Sequence, residues 1–123
     1  MKKISLLLVL VLMLCIPFLS TVKAEEKSKI IVYLFRGEGC PHCADAEEFF
    51  ENLSKDEEYS KYYTLKDYEV WYDKDNSELM DKVAAALGDE SGSGVPFIVI
   101  GDKSYRGYSD AMADQIKETI KSA

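Results

Sequence analysis

Cysteine is scarce in this chain: three in 123 residues, alongside one histidine, one tryptophan and three prolines. Three thiols cannot knit a disulfide-stapled scaffold, and a structural zinc site wants four ligands. One Cys-x-x-Cys is present, at Cys40 and Cys43, with His42 inside it, where reaching the same metal is awkward. Neither a metal nor a cofactor is expected. Haem attachment needs a histidine directly after the second cysteine, and that position is Ala44. Basic residues are also few, 15 against 22 acidic ones, for a net charge of −7. That balance argues against nucleic acid or an anionic lipid surface as a partner. The length allows one domain, and no internal repeat is visible.

What is present begins with a leader. Lys2 and Lys3 precede a stretch, Ile4 to Leu19, that is apolar apart from Ser5, and Val22-Lys23-Ala24 supplies small residues for cleavage. This pattern predicts a secretory signal peptide over residues 1–24. Pro17 and the modest length argue against a stable spanning helix, although an uncleaved N-terminal membrane anchor is the alternative. Cys15 reads as an apolar filler of the signal core. Cleavage after Ala24 removes three lysines and no acid, leaving 12 basic and 22 acidic residues. It also leaves Cys40 and Cys43 as the remaining thiols. A pair two residues apart closes too small a loop to restrict the unfolded chain much. The expected location is extracytoplasmic, whether secreted, periplasmic or associated with the cell envelope, where disulfides persist.

After a charged lead-in over 25–29, one domain is expected over 30–123. Ile30 to Phe35 is a continuous apolar, β-branched and aromatic run, as in a strand buried on both faces. Pro41 suits the first position of a helix continuing to about Leu53, with Cys43, Ala46, Phe50 and Leu53 on one face. The acidic, tyrosine-rich stretch from Ser54 to Leu65 reads as a short exposed helix and a turn, and Tyr68 to Asp73 as a second strand. Asn76 or Ser77 can cap a helix running to about Leu87. Phe97 to Ile100 and Ser104 to Arg106 form a hairpin around Gly101-Asp102-Lys103. Ser109 can cap a closing helix through Lys121. The order is β-α-β-α-β-β-α, and the helical crossover makes the first two strands parallel.

The chemistry concentrates at the start of the first helix. The nucleophile in disulfide exchange is the thiolate. Free backbone N–H groups at a helix start favour negative charge on Cys40. His42 can stabilise that thiolate further, with a merely exposed polar residue as the alternative. Stabilising the thiolate stabilises the reduced pair and makes the disulfide more oxidising. Cys43, one turn in, suits the resolving role. Val95-Pro96, after the glycine-rich Ser91-Gly92-Ser93-Gly94, is a candidate cis peptide. The acids Asp45, Glu47, Glu48 and Glu51 mostly mark the solvated face of the first helix, with Glu47 the exception to test.

A Cys-x-x-Cys opening the first crossover helix, a late Val-Pro before a β-hairpin and a closing helix resemble the thioredoxin superfamily. The resemblance implies an α/β fold with a four-stranded mixed sheet flanked by helices, in a minimal, glutaredoxin-sized form. It implies Cys40 as nucleophile, Cys43 as resolving thiol, Pro96 as a cis-proline beside the cysteines and Val95 as a backbone contact for substrate peptide. Cys40-Pro41-His42-Cys43, Glu47-Glu48 and Gly94-Val95-Pro96 are similar to bacterial disulfide oxidases of the DsbA type. Two departures stand against a simple transfer. The chain has no room for the helical domain those enzymes insert, and Leu34 occupies the position of their buried acid, so the resemblance leaves any proton relay to Glu47, Glu38 or water. Gly107-Tyr108-Ser109-Asp110 is similar to the place where glutaredoxins hold glutathione, although a helix cap and a first-turn acid are the simpler reading.

The resulting expectation is an exported thiol–disulfide oxidoreductase acting on protein or peptide thiols and disulfides, more as oxidant than reductant. A membrane redox partner and a monomeric state go with it. The alternatives are a reductant or isomerase kept reduced by a membrane donor, and a non-catalytic peptide-binding module. Trp71 and Tyr72 are expected to pack at the core and its rim.

Overall fold

A computed structural model describes residues 28–123. The leader over 1–24 lies outside the described residues. The strands are β1 (Ile30–Arg36), β2 (Tyr63–Glu69), β3 (Phe97–Ile100) and β4 (Lys103–Arg106), in one sheet ordered β2-β1-β3-β4. The helices are α1 (Pro41–Lys55), the short α2 (Glu57–Ser60), α3 (Lys74–Ala86) and α4 (Ala113–Ser122), the last entered through a 3₁₀ turn over Asp110–Met112. β1 and β2 are parallel, while β3 runs antiparallel to both β1 and β4. The sheet is therefore mixed and four-stranded, as expected, with α2 as an added turn of helix.

Strand alternation sorts the core into two layers. On one face Val32, Leu34, Ile98 and Ile100 pack with Ala46, Phe50 and Leu53 of α1 and Ile116 and Ile120 of α4. On the other, Phe35, Phe97 and Val99 pack with Met80 and Ala84 of α3. A one-residue slip of β1 would exchange these sets, so burial on both faces pins its register. Each large side chain buried here is worth about 1.5–3 kcal/mol.

One rung of the sheet crosses all four strands. Phe35 is paired with Tyr68 and Phe97, and Phe97 with Arg106. The rings stack at 5.3 Å (Phe35–Tyr68) and 5.9 Å (Phe35–Phe97), and the Arg106 guanidinium lies 4.1 Å from the Phe97 ring centre. Just beyond this rung β1, β2 and β4 end and β3 begins. The segments around residues 37–40, 70–73, 94–96 and 107–109 therefore gather at one end of the sheet.

Four local expectations need correction. The second strand is Tyr63–Glu69, not Tyr68 to Asp73. Val70 still donates to the Arg36 carbonyl at 2.8 Å, but the chain then turns, and Asp73 caps α3 by accepting the Asn76 N–H at 3.0 Å. The cap is thus Asp73, not Asn76 or Ser77. Ser109 stands at the start of the 3₁₀ turn, but its side chain makes no capping bond there. Its carbonyl instead accepts the Met112 N–H at 2.9 Å. Finally, Trp71 and Tyr72 are 54% and 82% exposed rather than packed into the core.

Candidate active site

Cys40 is the N-cap of α1 and Pro41 its first residue. Proline fits because its missing N–H would have had no helical partner there. The Cys43 N–H donates to Cys40 Sγ at 3.2 Å, and the Ala44 N–H to the Cys40 carbonyl at 3.0 Å. Cys40 and Cys43 form a disulfide, with Cα atoms 5.2 Å apart. Cys40 retains 8% exposure and Cys43 1%, so a reagent meets Cys40 first. Pro41 and His42 are exposed on the outer side of the same turn.

Val95 is half-buried and Pro96 buried, and the peptide between them is cis. They precede Phe97, which faces Phe35 across the β1–β3 ladder, so they sit at the cysteine end of the sheet. The Pro96 carbonyl accepts the Gly107 N–H at 2.7 Å.

The two candidate relay acids, Glu38 and Glu47, both meet Arg36, the last residue of β1. Arg36 Nε donates to Asp67 Oδ1 at 2.8 Å and lies 2.8 Å from Glu47 Oε1, while Nη1 is 3.1 Å from Glu38 Oε2. The Asp67 hydrogen bond, opposed by burial and helped by Glu38 and Glu47, raises the Arg36 pKa. Glu47 and the fully buried Leu34 line one cleft between α1 and β2. His42 instead lines a groove on the other side of α1, with Phe49, Tyr108 and Asp110. Glu47 and His42 thus serve different faces of the helix.

Sequence reasoning missed the groups that hold the surrounding loops. Glu69, at the end of β2, accepts the Tyr72 N–H at 2.6 Å and the Glu38 N–H at 2.9 Å, so one carboxylate ties two loops. Those backbone bonds, Tyr72 first, lower its pKa. Arg106 donates to the Gly94 carbonyl at 2.7 Å and to Ser91 Oγ at 2.9 Å, and pairs with Asp89 at 3.3 Å. It therefore anchors the segment that leads into Val95-Pro96. The Trp71 ring covers Gly37, where any Cβ would overlap it. One signal was available: the chain has only two arginines, Arg36 and Arg106, and each ends a strand. Among the described residues no cluster of three or more His, Cys, Asp or Glu could hold a metal.

No protein-family model and no curated protein matches the sequence. Among solved structures, a glutaredoxin from Archaeoglobus fulgidus aligns with a TM-score of 0.52 at 21% identity, over 75% of this chain and 87% of that one. The likeness establishes the fold, which is thioredoxin-like.

Proposed function

We propose that this chain is an exported thiol–disulfide oxidoreductase that passes the Cys40–Cys43 disulfide to protein or peptide thiols outside the cytoplasm. The observation that carries the reading is a helix-capping disulfide, with Cys40 the more accessible sulfur, at the head of α1 in a thioredoxin-like fold. A substrate thiolate attacks Cys40 Sγ and Cys43 leaves as thiolate, giving a mixed disulfide. A second substrate thiolate then attacks the substrate sulfur and releases Cys40 as thiolate. The substrate loses two electrons, the chain gains them, and the two substrate protons end on Cys40 and Cys43 or in water. In the reverse direction Cys40 is the nucleophile and Cys43 resolves the mixed disulfide.

Two features support the roles of neighbouring residues. The α1 N-terminus favours a Cys40 thiolate, and His42 stands in the same turn. Glu47 follows Cys43 by one helical turn and shares a cleft with Leu34, so a carboxylate on the helix reaches the side of the sheet where the usual strand acid is missing. Glu47 is therefore assigned the relay, Val95 the substrate backbone contact and Pro96 the wall beside the disulfide. A membrane partner would reoxidise the pair.

The decisive measurement is the reduction potential of the full chain, with exchange activity of Cys40→Ser beside it. A value near DsbA's, about −120 mV, fits the oxidant, and one near thioredoxin's, about −270 mV, sinks that direction. Full exchange activity in Cys40→Ser sinks the mechanism. Cell fractionation with mass determination of the N-terminus tests export and cleavage after Ala24.

A further inference from the structure

A groove of about 740 Å³ runs beside the cysteines, between α1 and the segment from Tyr108 to Lys117. His42 marks its cysteine end, and Phe49 and Leu53 give it an apolar floor. Its walls carry Asp45, Glu48 and Asp110, and none of these has an ion-pair partner among the described residues. The lysine in its lining, Lys117, lies 5.5 Å from the centre of the Tyr59 ring.

Tyr108 gives the groove a second, independent feature. It is 7% exposed and lines the groove, yet its hydroxyl has no hydrogen-bond partner among the described residues. The ring is buried, but the hydroxyl oxygen is not sealed off, since no side-chain N or O among the described residues is both fully buried and unpartnered; the hydroxyl is left open to a ligand in the groove. Burial first, and then Asp110, Asp45 and Glu48, raise its pKa, so the hydroxyl stays protonated and feels all three carboxylates. A protonated phenol can both donate and accept.

Resting on the disulfide-exchange reading above, we propose that this groove docks a cationic stretch of the substrate polypeptide, with lysine or arginine flanking its cysteine and Tyr108 hydrogen-bonding its backbone. The carboxylates attract such a segment from solution and hold it along α1, while the apolar floor takes its aliphatic stems. The same charges repel an anionic thiol such as glutathione.

The test uses the full chain in its disulfide form and two reduced two-cysteine peptides, identical except that lysines flank the cysteines in one and glutamates in the other. Oxidation of dithiothreitol, a neutral dithiol, runs alongside. At low salt the lysine peptide should show kcat/KM about tenfold above the glutamate peptide, and high salt should compress that ratio. In Asp45→Asn/Glu48→Gln/Asp110→Asn the ratio should fall toward one, and Tyr108→Phe should raise KM for the lysine peptide. A ratio near one in the unmodified chain, or a ratio indifferent to salt, overturns the proposal even if the triple variant fails to fold. So does glutathione turning over faster than the lysine peptide, which gives the groove to glutathione. Normal dithiothreitol oxidation without charge preference removes the groove alone, whereas inertness toward dithiothreitol removes the exchange reading and this proposal with it.

Discussion

Replacing Leu34 by Asp would put a carboxyl on β1 beneath α1, and the surroundings set its cost. Leu34 is fully buried among Val32, Ala46, Phe50 and Ile98. Losing its side chain from that core costs about 2–5 kcal/mol, the range for buried leucine truncation. The new carboxyl adds a pH-dependent part, because burial favours its neutral form. A folded-state pKa about three units above the ordinary ~3.9 gives a penalty that is absent below about pH 4 and grows as pH rises toward about 7. Integrated over that range, Leu34→Asp should lose about 2.5 kcal/mol more, relative to the unmodified chain, at about pH 7.5 than at about pH 5. Leu34→Asn, which cannot ionise, should show the core loss without the pH-dependent part. Urea unfolding of the three proteins at both pH values measures this. Equal losses for Leu34→Asp at the two pH values, or a loss below about 1 kcal/mol at either, would refute the placement of Leu34 in a closed apolar core. At the lower pH, where the variant is more stable, exchange assays with and without Glu47→Gln ask whether the strand acid makes Glu47 dispensable.

Other expectations follow from single contacts. Tyr63 donates to the Phe50 carbonyl at 3.3 Å, so Tyr63→Phe should cost about 1 kcal/mol in urea unfolding. Burial raises the Tyr63 pKa; its contribution is therefore complete below about pH 10 and declines as pH climbs through the folded-state value, a decline absent from the Phe variant. Gly37→Ala should push Trp71 off the loop before Cys40 and shift the emission of this single tryptophan toward the red; an unchanged spectrum would contradict the packing. Glu69, with a lowered pKa, holds its two loops above the ordinary carboxylate range and releases them as pH falls through the folded value. Amide exchange at Glu38 and Tyr72 should rise with acid, and Glu69→Gln should flatten that profile.

Legibility in the sequence followed burial. β1 and β3 lie inside the sheet, and their unbroken apolar runs announce them. β2 lies at an edge, with Thr64, Lys66 and Asp67 exposed, so its composition resembles a loop. The more apolar Val70-Trp71-Tyr72 drew the strand assignment away, although two of its three residues face solvent. The cysteines were legible because the proline beside them marks a helix start. The loop anchors were not, because Arg36, Glu69 and Arg106 each hold at least one partner distant in sequence. Arg36 meets Asp67 across 31 positions, and Arg106 meets Gly94 across 12. The groove escaped for the same reason: its acids on α1 read as a solvated helix face until Tyr108 and Asp110 close the other wall.

The sulfur of Cys40 also terminates a helix, since it receives the Cys43 N–H. In the proposed exchange, each reduction of the pair changes the bonding of the atom that accepts this amide. A thiolate accepts more strongly than a disulfide sulfur, so reduction to a Cys40 thiolate would tighten the first turn of α1 and reoxidation would relax it. The Cys43 amide is thus a built-in gauge to test: its chemical shift or exchange with solvent should change between the oxidised and reduced pair without any added probe.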